Sequence, residues 1–75
     1  MICLSEYDER GNTAYIRLVD IPAGGVDSTT NLYEEHGIML DWDAEGHLLG
    51  IEVLDAKKVL KPELLAAPMG TLGVY

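Results

Sequence analysis

The alternation between residues 38 and 53 constrains this chain most. Ile38, Leu40 and Trp42 alternate with Met39, Asp41 and Asp43, and Leu49, Ile51 and Val53 alternate with Leu48, Gly50 and Glu52. Apolar residues at every second position predict half-buried strands. Asp43-Ala44-Glu45-Gly46 between the two runs reads as a turn, so the segment reads as a β-hairpin. Pairing Leu40 with Ile51 and Trp42 with Leu49 gathers the apolar residues on one face, whereas a one-residue slip mixes Glu52 with Trp42 and Leu40. The opposite face then carries Met39, Asp41, Asp43, Leu48, Gly50 and Glu52, which is acidic without being wholly polar.

A second hairpin is expected near the start. Ile2 and Leu4 alternate with Cys3 and Ser5, and Ala14, Ile16 and Leu18 alternate with Tyr15, Arg17 and Val19, around the turn residues Asp8-Glu9-Arg10-Gly11-Asn12. Pairing Leu4 with Ile16 and Ile2 with Leu18 puts the apolar set on one side. Ile21-Pro22-Ala23-Gly24-Gly25 is a loop, the threonine-rich run from Val26 to Tyr33 is a candidate edge strand, and Gly37 resets the chain. Asp55 is placed to cap a helix through Ala56-Lys57-Lys58-Val59-Leu60, which kinks or restarts at Pro62. Val59, Leu60 and Leu64 have the spacing of a core-facing stripe. The fold class expected is α+β: an antiparallel sheet of four to five strands built from two hairpins, with one short C-terminal helix packed on the apolar face. The predicted core is Ile2, Leu4, Ile16, Leu18, Ile38, Leu40, Trp42, Leu49, Ile51, Val53, Val59, Leu60 and Leu64. Seventy-five residues allow one domain, taken as 1–67, followed by an apolar, glycine-rich tail over 68–75.

Charge narrows the partners. Thirteen acidic side chains against five basic ones give a net charge of −8. Nucleic acids and anionic membranes repel such a chain, because binding to them rests on Lys and Arg neutralising phosphates. No run of about 20 apolar residues is present to span a membrane, and no basic region precedes the short apolar run at Met1, so no signal peptide is expected. A single cysteine, Cys3, forms no internal disulfide and points to a reducing, cytoplasmic setting.

Few residues suggest chemistry. Asp41, Asp43, Glu45, Gly46 and Glu52 nearly reproduce the spacing of a twelve-residue calcium loop. That loop joins two helices, whereas both flanks here alternate as strands, so the hairpin reading is preferred and Asp41, Asp43 and Glu52 remain only candidate metal ligands. His36 and His47 lie beside turn residues with no third ligand at a recognisable spacing and read as solvated. Nothing adjacent to Cys3 lowers its pKa, which favours a small strand residue over a nucleophile. Gly24-Gly25 lacks the lysine and helix of a phosphate loop. Lys57, Lys58 and Lys61 read as a solvated helix face, and Trp42, Leu40 and Tyr15 as core rather than as a ligand pocket.

Two segments together resemble the domain-of-unknown-function 2283 family of short prokaryotic proteins. They are Tyr7-Asp8-Glu9 running into Tyr15-Ile16-Arg17-Leu18, and Leu40-Asp41-Trp42-Asp43 through Gly46 into Gly50-Ile51-Glu52-Val53-Leu54-Asp55-Ala56. The resemblance covers about residues 1–60. Asn12 stands where that family often has aspartate, and Ala14 where it more often has leucine. The resemblance implies a compact antiparallel sheet with a C-terminal helix, and it implies no catalytic residues.

A core this small supplies few kcal/mol, which favours pairing of two copies. The expectation is therefore a non-enzymatic interaction module forming a homodimer, with no cofactor and no catalytic residues. Met39, Asp41, Leu48 and Glu52 are the expected interaction face, and a basic protein partner bound in an antitoxin-like role is one concrete form. The alternative is a small metal-dependent enzyme or sensor using Asp41, Asp43 and Glu52 with His47.

Overall fold

The computed structural model describes residues 4–35 and 37–66. It is an α+β fold: a five-stranded antiparallel sheet followed by two short helices. The strands are β1 (Glu6–Asp8), β2 (Thr13–Arg17), β3 (Ser28–Tyr33), β4 (Ile38–Trp42) and β5 (Leu48–Val53), and the helices are α1 (Ala56–Val59) and α2 (Pro62–Leu65). Across the sheet the order is β1-β2-β5-β4-β3, which makes β1 and β3 its edges.

Directly opposed residues in antiparallel strands share a face, so the register sorts the side chains into rows. Tyr33, Ile38, Val53, Ala14 and Tyr7 form one row across all five strands, and Thr30, Leu40, Ile51 and Ile16 form a second. The rows between them project from the other face: Asn31, Met39, Glu52, Tyr15 and Glu6, then Thr29, Asp41, Gly50 and Arg17. The first set is uncharged. The second holds three carboxylates and one guanidinium.

Leu40 lies opposite Ile51, as the alternation predicts, but Trp42 lies opposite Leu48 rather than Leu49. A bulge makes Leu49 the extra residue; its carbonyl accepts from the Leu18 amide at 2.9 Å. Leu48 therefore leaves the alternation that would have placed it on the same face as Met39. The turn below the bulge is built on Asp43, whose Oδ1 accepts from the amides of Glu45 (3.0 Å) and His47 (2.8 Å), while Gly46 takes φ +86°.

The first hairpin register also differs from expectation. The first strand among the described residues is Glu6–Asp8, and Tyr7 faces Ala14, one step away from the offset that would pair Leu4 with Ile16. Ile2 and Cys3 lie outside the described residues. Ser5 is the physical reason for the shift. Its hydroxyl accepts the Arg17 amide at 2.8 Å, replacing a backbone acceptor, and the chain bends there. Leu4, before the bend, is fully buried without belonging to the ladder.

The buried cluster is small: Leu4, Ala14, Val53 and Ala56, with Tyr7, Ile16, Ile51, Val59, Leu60, Leu64 and Leu65 packed against it. Ile38, Leu40, Trp42 and Leu18 are half-buried, and Leu49 is buried. One continuous helix is replaced by two because Pro62 cannot donate to the preceding turn and opens a new helix at its first position. The tail over 68–75 lies outside the described residues. No described helix is long and apolar enough to cross a membrane.

The start of α1 is held by a residue from the far turn. Asp55 occupies the N-cap position but makes no side-chain cap hydrogen bond. Asn12 caps the helix instead: its carbonyl accepts the Ala56 amide (3.0 Å) and its Oδ1 accepts the Lys57 amide (2.8 Å). Its Nδ2 donates to Asp55 Oδ1 at 2.8 Å. Asn12 does this at φ +58°, a left-handed conformation that asparagine tolerates better than most residues.

Asn12→Ala removes the two side-chain bonds and strains the backbone, so denaturant unfolding should show a loss of about 1–2 kcal/mol. Asn12→Asp keeps an acceptor for Lys57 but sets two carboxylates against each other. Its stability deficit at neutral pH should shrink as the pH falls into the carboxylate range, a trend that chemical denaturation at pH 7 and pH 4 would read.

Candidate interaction surface

The polar face is stitched by side chains. At one end Arg17 donates to Glu6 at 3.1 Å, joining β2 to β1. In the middle Tyr15 reaches from β2 across β5, its hydroxyl donating to Asp41 Oδ2 at 2.9 Å on β4. On the far side the Thr29 hydroxyl donates to Asp41 Oδ1 at 2.7 Å, joining β4 to β3. The span over β5 is possible because residue 50 has no side chain. A Cβ there would collide with the ring carbons and hydroxyl of Tyr15. A glycine inside an apolar strand marks such close approaches.

The ring pays for its position in acidity: the Tyr15 hydroxyl is pushed up to about 12, first by burial, then by its bond to Asp41 and the charge of that carboxylate. The phenol is thereby held neutral as a donor at any physiological pH. Asp43 shifts the other way. The His47 amide bonded to it holds its carboxyl below the usual range, assisted by the His47 ring, whose Nδ1 lies 3.2 Å from Oδ2.

Of the candidate metal ligands, the structure brings together only Asp43 and His47. Asp41 is engaged by Tyr15 and Thr29, and Glu52 stands in the row of Met39 and Tyr15. Among the described residues, no group of three or more His, Cys, Asp or Glu side chains is placed to hold a metal ion. His36 and Cys3 lie outside the described residues. Of the residues expected to form an interaction face, Met39, Asp41 and Glu52 stand in neighbouring rows of the polar face, while the bulge sets Leu48 opposite Trp42. Beside these rows a shallow cleft of about 130 Å³ is lined by Glu6, Asp8, Thr13, Ala14, Tyr15 and Glu52. Its chemistry is that of three carboxylates beside a neutral phenol, suited to a cationic group.

The sequence reads Tyr15 as core, whereas the structure lays it on the polar face over Gly50, and the part of Thr29 is not read from the sequence at all. Gly50 was the available signal: it leaves a strand of large side chains without one at its middle, between Leu49 and Ile51.

The family described as "Protein of unknown function (DUF2283)" matches residues 5–57. The chain belongs to this family. No curated protein and no solved structure matches it. The family match begins just before β1 and ends at the first turn of α1, so it encloses the whole sheet and the Asn12 contact with α1.

Gly50→Ala should expel the Tyr15 ring and destabilise the sheet by about 1–3 kcal/mol. The Tyr15 titration then falls from about 12 towards 10. The sign follows from the raised value. Folding favours the neutral phenol, so its contribution is complete below pH 10 and is lost as pH rises through about 12. Unfolding followed across that alkaline window should show a steeper decline for the wild type than for Tyr15→Phe.

Proposed function

We propose that this protein is a non-enzymatic interaction module that works as a homodimer and engages a basic protein partner, in an antitoxin-like role. The observation that carries the reading is the separation of the two faces. One face holds the uncharged rows, and α1 and α2 serve the part of it around Ala14 and Val53. Ile38, Leu40 and Trp42 of β4 stand outside that cluster among the described residues and are only half-buried. A second copy laid on this uncharged strip removes apolar area from water at about 25 cal/mol per Å². No like charges are brought together there, because the carboxylates project the other way. Dimerisation through this strip leaves the faces of Glu6, Asp41 and Glu52 outward on both copies, where a cationic surface is attracted to them.

Light scattering over a concentration series tests the dimer. The wild type should pass from monomer to dimer mass, and Leu40→Glu should stay monomeric while keeping its β-sheet circular dichroism. A wild type that is monomeric throughout overturns the dimer. Repeated failure to co-purify with a basic protein encoded beside it counts against the antitoxin-like form.

A further inference from the structure

The two edges of the sheet are unlike. β1 is three residues long and carries Glu6 and Asp8, features that discourage pairing with a further strand. β3 is six residues long, Ser28-Thr29-Thr30-Asn31-Leu32-Tyr33, exposed along its whole length, and contains no charge and no proline. The β3–β4 register skips Leu32, which is 62% exposed. Among the described residues no strand pairs with the outer edge of β3, and its Ser28-Thr29-Thr30-Asn31-Leu32 run has the character of a template for another chain.

Its ends are charged. Asp27 precedes β3, Glu34 and Glu35 follow it, and all three are exposed. No Lys or Arg occurs between Arg17 and Lys57, a stretch that holds nine of the thirteen acids. This arrangement selects among occupants. If a second copy paired β3 with β3 in antiparallel fashion about the strand centre, Asp27 would face Glu34 of the other copy at both ends. Parallel pairing would set Asp27 against Asp27. Both arrangements place like charges in opposition, which destabilises strand pairing. A strand with basic ends meets the same carboxylates favourably.

We propose that β3 is a strand-addition site for an extended segment of the partner, carrying a Lys or Arg at each end of about six uncharged residues. Backbone hydrogen bonds to the open edge of β3 supply the pairing, as in other strand-addition complexes. Asp27 and Glu34 select the ends, one just before β3 and one just after it. Leu32 offers an apolar contact at one side. The inference rests on the basic-partner reading and adds where and in what conformation the partner binds.

The test uses the full chain and three synthetic peptides with one shared uncharged middle and basic, neutral or acidic ends, followed by amide hydrogen exchange and fluorescence anisotropy. The basic-ended peptide should protect amides of β3 and bind about tenfold or more tightly than the acidic-ended one, the sum expected of two or three exposed ion pairs. Asp27→Lys combined with Glu34→Lys should reverse that order; both sites are exposed, so folding is retained and is checked by circular dichroism. Equal binding of all three peptides overturns the charge selection. Binding of the basic-ended peptide with protection elsewhere overturns the β3 site and leaves the basic-partner reading standing. No binding of that peptide at millimolar concentration overturns both. A homodimer interface that maps to β3 also overturns the proposal.

Discussion

The fold depends on Asn12. A buried cluster of four among the described residues offers little apolar area with which to fix a helix, and α1 is a single turn of four residues that is not stable alone. What places it is a fixed point on the β1–β2 turn. Asn12 presents its carbonyl and both ends of its side-chain amide to Ala56, Lys57 and Asp55. The helix start is thereby tied to a residue 43 to 45 positions earlier. Ala56 is fully buried beside Ala14, and small side chains at both positions permit that close approach. An alanine at position 14, where the resembling family more often carries leucine, fits the same geometry.

Glycine 50 plays the corresponding part on the other face. A sheet covered on one side only leaves its second face to be held by polar contacts in partial water, where each is worth about 1 kcal/mol or less. The Tyr15 ring laid across β5 gains more than an isolated surface pair, because it combines area burial with a bond to a carboxylate and brings β2 and β4 into one network. Thr29 extends that network to β3. The outermost long strand is thus secured from inside, through Asp41, and no described strand pairs with its outer edge.

The sheet was legible in the sequence because period-two alternation is a direct image of burial. The pairing of Leu40 with Ile51 followed from it, while the proline at position 62 left a kink or a restart open and the structure shows a restart. What alternation does not encode is the insertion of one residue. The bulge at Leu49 and the bend at Ser5 each displaced a register by one position, and both rest on hydrogen bonds to groups far away in sequence: the Leu18 amide to the Leu49 carbonyl, and the Arg17 amide to the Ser5 hydroxyl. The helix cap was misread for a similar reason. Asp55 has the right chemistry at the right place, but Asn12 arrives there through tertiary structure. The acidic rows were visible, whereas the Tyr15–Asp41 bridge depends on β2 lying beside β5, a pairing between the two predicted hairpins that neither hairpin pattern specifies.

Net charge acquires a direction once the rows are known. Spread evenly, −8 would oppose any association of two copies. Sorted by the sheet, the carboxylates of Glu6, Asp41 and Glu52 occupy one face, and those of Asp27, Glu34 and Glu35 bracket the open edge, leaving the rows of Leu40 and Ile38 free of charge. The same repulsion that opposes pairing of identical edges does not act on the uncharged face of the described sheet, which is why the proposed dimer is placed there. In the proposed scheme a single electrostatic rule separates two kinds of association: like chains through the uncharged face, and an oppositely charged chain at the edge and on the acidic face.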